Sequence, residues 1–231
     1  MRKTYLSFLF ILVQTLCLSQ EDIVTNIKIQ GQKKTKTSFL NKLITVRLGT
    51  VLDSMALQED IERLKRLPSI AHAYFEVASS DGVHHNVSYH VEENFTLIPF
   101  ANLYTSSNDD FAFRVGLQEF NLLQRNIMLG AFYQYDNFSS FGVSLRAPYL
   151  FSNKIGMALS YKDLTTQEPV FFDNDIAEYR YNNTGFEVMG LYEFNFKNRI
   201  ELGASLFTEN YEYLSGATSP QVPETLDVGK H

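Results

Sequence analysis

Tryptophan is absent from the 231 residues, cysteine occurs once, and histidine occurs five times. The one cysteine, Cys17, lies in the opening apolar stretch, so the rest of the chain has no disulfide framework. No Gly-x-Ser-x-Gly elbow, phosphate-binding loop or His-Glu-x-x-His stretch occurs. Histidine is missing between Phe95 and Lys230, which excludes a Ser-His pair there and leaves only His72, His84, His85, His90 and His231 as bases. A concentrated basic face is also lacking: the formal charge is −6 and the pI about 5.4, which argues against nucleic acid. Past the opening stretch, no apolar run reaches the roughly 20 residues of a membrane-spanning helix.

Met1-Arg2-Lys3, the apolar run over 5–18 and the small residues Cys17-Leu18-Ser19 before Gln20 read as a secretory signal peptide over 1–19. Gln14-Thr15-Leu16 is a poor approach to a lipidated cysteine. Without Arg2 and Lys3, 18 basic residues face 26 acidic ones, a net charge of −8.

The informative pattern fills residues 95–214, where apolar and polar residues alternate between turn signals. Phe141, Val143, Leu145 and Ala147 oppose Ser140, Gly142, Ser144 and Arg146. Ile155, Met157, Leu159 and Tyr161 oppose Gly156, Ala158, Ser160 and Lys162. Ile200, Leu202, Ala204 and Leu206 oppose Glu201, Gly203 and Ser205. A period of two puts each set on its own face of a strand. A secreted soluble sandwich buries such an apolar face in protein, and a membrane barrel turns it to lipid. The polar face favours lipid, being rich in Gly and Ser and carrying Arg146, Lys154, Lys162, Glu187, Glu193 and Glu201, as a wet lumen does. So do the aromatics near strand ends: Tyr133, Tyr135, Phe138, Tyr149, Phe151, Tyr192, Phe194, Tyr211 and Tyr213 read as interfacial girdles. A strand protein in a membrane must close, since open sheet edges cannot face hydrocarbon.

Residues 21–94 read as a separate α+β module in the order β-α-α-β-β. Residues 23–29 alternate as a strand, and Ser38 is an N-cap candidate for a short helix over 39–44. Asp53 or Ser54 caps a second helix running to Leu67, with Leu57, Ile61, Leu64 and Leu67 on one face and Pro68 beyond. Glu59, Asp60, Glu62, Arg63, Lys65 and Arg66 are expected on its solvated side. Residues 70–77 and 83–91 are strands joined by a turn at Ser79-Ser80-Asp81-Gly82. Glu92-Glu93 reads as a solvated strand end.

Ile27-Lys28-Ile29-Gln30-Gly31, Lys33-Lys34-Thr35, Leu48-Gly49, Tyr74-Phe75-Glu76-Val77 and the closing Val91-Glu92-Glu93-Asn94 resemble, in that order, a polypeptide-transport-associated (POTRA) domain. Gly116 and Asn121-Leu122-Leu123 resemble the first periplasmic turn of BamA/TamA-type outer-membrane proteins, and Arg146-Ala147-Pro148-Tyr149-Leu150 a later strand end. The resemblance implies a non-enzymatic factor in the outer membrane of a Gram-negative bacterium, with the POTRA domain in the periplasm. Its implied partners are unfolded outer-membrane or secreted polypeptides, outer-membrane lipid and accessory periplasmic proteins or lipoproteins; it implies no cofactor. It places an exposed, client-binding edge at the middle strand, here Ile70, His72, Tyr74, Phe75, Glu76 and Val77. It places a lateral gate at the first barrel strand, here Leu97, Pro99, Ala101 and Leu103.

The strands are expected at 95–104, 110–120, 126–137, 139–150, 154–172, 176–195 and 199–214, with short turns near 121–125, 151–153 and 196–198. Residues 215–231, with Gly216, Pro220 and Pro223, read as an extracellular loop. Bacterial single-chain barrels have even strand numbers, so seven strands imply an incomplete barrel where the resembled family has about sixteen. The expectation is therefore a POTRA domain with the first strands of a transmembrane β-barrel, in a fragment, a truncated frame or a chain that a partner completes.

Other constellations carry less. His84 and His85 are adjacent in a strand and point to opposite faces, which disfavours a shared metal. Asp173-Asn174-Asp175 reads as a turn before a calcium site. Asn86, Asn94, Asn137 and Asn182 head glycosylation sequons, which matter only in a eukaryotic secretory route. Two alternatives stand beside the leading one: a passive structural or pore protein, and an outer-membrane lipase or protease, for which the barrel stretch supplies no histidine.

Overall fold

The structure is a computed structural model and describes residues 21–79, 81–105, 111–172, 175–217 and 223–230. Residues 1–20, which hold Cys17 and the stretch read as a signal peptide, Ser80, the connection 106–110, Asp173-Asn174, residues 218–222 and His231 lie outside the described residues.

The first unit is a three-stranded sheet with two helices. Strand β1 (Ile23–Gln30) leads to helix α1 (Thr37–Leu43), helix α2 (Ser54–Lys65), and strands β2 (Ile70–Ser79) and β3 (His84–Glu93). The strand order is β1-β3-β2, with β1 parallel to β3 and β2 antiparallel to it. The alternation of β3 puts Val87, Tyr89 and Val91 on the buried side, against Leu40, Leu43, Leu57, Ile61 and Leu64 of the helices. Burying each of these leucines contributes about 1.5–3 kcal/mol. Asp53 caps α2, accepting from the Met55 N–H at 2.8 Å. Ser38 does not cap α1: that helix starts at Thr37 behind Lys36, without a side-chain cap.

Three charged side chains depart from the solvated placement expected of them. Asp60 and Arg63 are buried, not solvated. Asp60 accepts from the Thr45 N–H at 2.6 Å, the Thr45 hydroxyl at 2.7 Å, the Val46 N–H at 3.1 Å and the Tyr89 hydroxyl at 2.9 Å. A buried carboxylate survives because its lone pairs are filled. Burial, then the facing Asp60 charge, pushes the Tyr89 phenol well up. Glu93 is no free strand end: the Lys33, Lys34 and Thr35 N–H groups all donate to it, at 3.0, 2.8 and 2.6 Å.

The second unit is one antiparallel sheet of eight strands in chain order: β4 (Leu97–Thr105), β5 (Phe111–Leu122), β6 (Ile127–Asp136), β7 (Phe138–Ala147), β8 (Ile155–Phe172), β9 (Asp175–Asn195), β10 (Asn198–Gly216) and β11 (Thr225–Lys230). Residues 215–231 are thus not simply a loop. Thr225-Leu226-Asp227-Val228 keeps enough alternation for β11 to fold back on β10, pairing Tyr211 with Leu226 and Glu212 with Thr225. Among the described residues the sheet does not close: β4 and β11 each have one neighbour.

The register turns the predicted alternation into rows. One row on the apolar face runs Pro99, Leu117, Ala131, Val143, Tyr161, Phe186, Leu206 across seven strands. A row on the other face runs Gln118, Gly130, Ser144, Ser160, Glu187, Ser205. Beside it runs Phe100, Gly116, Phe132, Gly142, Lys162, Gly185, Phe207. Among the described residues no second sheet packs on the apolar face: Val143, Phe186 and Leu206 are exposed, Leu206 to 70%. The soluble-sandwich alternative needs that face buried. Among the described residues no helix is long and apolar enough to cross a membrane.

Candidate functional site

The two edges of the small sheet differ. The outer edge of β1 is closed by the segment after α1: the Val24 N–H donates to Thr50 O at 2.9 Å, the Gly49 N–H to Val24 O at 2.8 Å, and the Leu52 N–H to Asp22 O at 2.7 Å. The outer edge of β2 has no backbone partner among the described residues. Its main-chain donors and acceptors are a template for an added strand.

The residues predicted for that edge divide. Ile70 is buried, and its N–H is bonded to Leu67 O at 2.9 Å, so it belongs to the core. Phe75 packs partly against the same core, and Val77 is exposed near the strand end. His72, Tyr74 and Glu76 are exposed on the opposite face. There the Tyr74 ring stacks on His90 of β3, centroids 4.7 Å apart at 8°, and His72 lies 5.9 Å from Tyr74. The Glu76 carboxylate is 3.4 Å from His90 Nε2.

The first barrel strand offers the second open edge. β4 pairs with β5 along its whole length, Pro99 opposite Leu117, and its other side is unpaired among the described residues. Leu97, Pro99, Ala101 and Leu103 share the apolar face with the Pro99–Leu206 row.

Between the edges lies a joint that sequence reasoning missed. The Lys36 N–H donates to Gln124 O at 3.0 Å, and Asn121 Nδ2 to the Thr35 hydroxyl at 2.9 Å. Leu123, Gln124 and Asn126 all take positive φ in this turn, and the Asn126 N–H donates to Asn121 Oδ1 at 2.9 Å. Lys42 Nζ donates to Tyr149 O at 3.1 Å. Arg63 of α2 reaches Glu193 of β9 at 3.8 Å, both side chains buried, and Arg199 adds a second cation 3.5 Å from Glu193. The Arg66 guanidinium sits 3.6 Å over the Phe196 ring. Tyr149 is buried here, 6.4 Å from Phe39, and is not a girdle residue. Glu93 ties the small domain's last strand to the loop carrying Thr35 and Lys36. Burial raises its carboxyl, but the hydrogen bonds from Thr35, Lys34 and Lys33 outweigh this and hold it below the usual range.

A sequence signal existed for part of this. Asp60 lies three residues after Leu57 and four before Leu64, and Arg63 four before Leu67, so helical spacing puts both on the buried face. Glu193 carries no such local mark. The histidines fulfil the opposite-face expectation: His84 contacts Asp81 at 2.5 Å and His85 contacts Asp22 at 3.0 Å. Among the described residues no group of three or more metal-ligating side chains forms.

Residues 23–94 match the family described as "POTRA: Surface antigen variable number repeat". No curated protein matches the chain significantly. Among solved structures, the crystal structure of BamA from Haemophilus ducreyi lacking POTRA domains 1–3 matches with a TM-score of 0.62 and 17% identity, over 83% of this chain and 36% of that one. CdiB from Escherichia coli matches with a TM-score of 0.56 and 12% identity, over 84% and 38%. CdiB from Acinetobacter baumannii matches with a TM-score of 0.50 and 12% identity, over 84% and 39%. The chain thus spans less than two-fifths of the length of these structures. At such identities the likeness is one of fold, and that fold is a POTRA domain joined to an unclosed run of outer-membrane barrel strands. Residues 23–94 thus match a POTRA model, and the strands that follow share the fold of these barrels.

Proposed function

We propose that the protein assembles or translocates polypeptides at the outer membrane of a Gram-negative bacterium, with the POTRA domain on the periplasmic side. The observation that carries this is the unpartnered β2 edge, tied through the joint to the large sheet, whose β4 is also unpaired on its outer side among the described residues. A client in extended form adds to β2 through main-chain hydrogen bonds, which tolerate differing client sequences. The exposed apolar face of the large sheet is the surface offered to lipid: patches above a few hundred Å² mark such contacts. The reading is non-enzymatic. Three of the described histidines sit against carboxylates on the POTRA sheet, far in sequence from any barrel hydroxyl.

The test uses the full chain in nanodiscs with a photo-reactive residue placed in turn along β1, β2 and β4. A client strand peptide is expected to cross-link from β2 and not from β1. Cross-linking that favours β1, or that ignores both open edges, overturns the reading.

A further inference from the structure

The exposed face of β2 carries more information than its backbone. Tyr74 and His90 are register partners on adjacent strands, and their rings are stacked 4.7 Å apart at 8°. That separation equals the spacing of neighbouring strands, about 4.7–4.9 Å. The stack therefore runs across the sheet, from β3 towards the open edge. One face of the Tyr74 ring is covered by His90. The other faces the position that an added strand would take, and Tyr74 remains 46% exposed. Two residues along, on the same side, stands the Glu76 carboxylate, with two-thirds of its side chain in solvent.

We propose that the open face of Tyr74 is an aromatic subsite that selects clients. The occupant is an extended segment with an aromatic residue opposite Tyr74, continuing the His90–Tyr74 stack by one repeat. A lysine or arginine two residues away on that segment meets Glu76. Strands destined for a membrane barrel carry aromatics at their interfacial ends. The subsite thus favours them over soluble extended chains. The proposal rests on the edge-pairing reading above and adds side-chain choice to it.

Three strand peptides of one sequence test it, binding to the full chain in nanodiscs and read by fluorescence anisotropy. The parent has a central Phe, the second has Leu there, and the third is the parent N-methylated at alternate residues. Cross-strand aromatic pairs predict about threefold to tenfold weaker binding for the Leu peptide. That difference should vanish in Tyr74→Ser, an exposed position where the fold is not at risk. If the Phe and Leu peptides bind equally while the N-methylated one fails, the subsite is overturned and edge pairing stands. If the N-methylated peptide binds as tightly as the parent, or the parent does not bind, both readings fall.

Discussion

The ring of Phe100 lies over Gly116 of the neighbouring strand: a Cβ built on that glycine would stand 2.3 Å from Phe100 Cζ. Phe132 covers Gly142 in the same way, at 2.5 Å from Cε1. Large and absent side chains thus alternate along one row from β4 to β10, with Lys162 filling the turn of an aromatic between Gly142 and Gly185. Aromatics lying over glycines shield the bare backbone and fix register.

The glycines of the large sheet predict a graded series. Gly142→Ala should destabilise the folded sheet by about 1–3 kcal/mol through overpacking against the Phe132 ring, and Gly116→Ala by more, since its Cβ would also stand 2.6 Å from the backbone Ala131 O. Gly156→Ala should be worse, since its Cβ would meet backbone atoms, Ala147 O at 2.2 Å and Pro148 O at 2.3 Å, which cannot step aside. Gly190→Ala, 3.6 Å from Leu202 O, should shift stability by less than about 0.5 kcal/mol. Urea unfolding in detergent, followed by protease resistance, ranks the four. Equal losses at Gly190 and Gly156 would refute the argument.

The joint predicts a buried-charge effect. Glu193→Gln leaves Arg63 in the interior without its anion and should weaken the contact by about 3 kcal/mol. Amide exchange should accelerate at residues 36–43 and 121–126, with β3 protected as before. Adding Arg63→Met should recover much of the loss. Because the pair is shielded from solvent, added salt should change little.

Glu93 predicts a pH dependence with a definite sign. Its carboxyl titrates lower in the folded chain than its ordinary value of 4.5. The stabilisation is therefore complete above that value and fades as pH falls through the lower folded one. Thermal unfolding should show Glu93→Gln less stable than the native chain near neutrality. The two curves should converge as the solution is acidified below pH 4.5. Parallel curves across that window would exclude Glu93 as the clamp.

A tyrosine hydroxyl helps to hold the last described strand. Tyr179 is fully buried, and its OH donates to Pro223 O at 2.6 Å, anchoring the entry to β11. Tyr179→Phe should loosen β11 by about 1 kcal/mol. Protease cleavage near residues 223–226 should rise, with β8 and β9 unaffected.

The strands of the large sheet and the order of the small domain were legible because each obeys a local period. Phe141, Val143 and Leu145 alternate whatever the rest of the chain does, and Leu57, Ile61 and Leu64 keep a helical stripe. The order β-α-α-β-β also carried the resemblance to a POTRA domain. What stayed hidden was tertiary. Tyr149 has the composition of a girdle residue, and only the docking of α1 buries it against Phe39. Glu93 looks like a charged strand end until the 33–35 loop folds over it. β11 was masked by the Gly- and Pro-containing stretch before it, which reads as loop on composition alone. Of the predicted edge, His72, Tyr74 and Glu76 came from the resemblance to the family, and burial moved Ile70 to the core.

Hydrogen bonds, a buried ion pair and a cation over an aromatic ring all cross the joint, so on the proposed reading they set the distance between the β2 edge and the β4 edge. A client engaged at both must bridge it with chain that reaches at most about 3.3–3.6 Å per residue. On the proposed reading the protein is a ruler as well as a template. Below some spacer length between a client's two pairing segments, joint occupancy becomes impossible, and the affinity gained from double engagement disappears in one step.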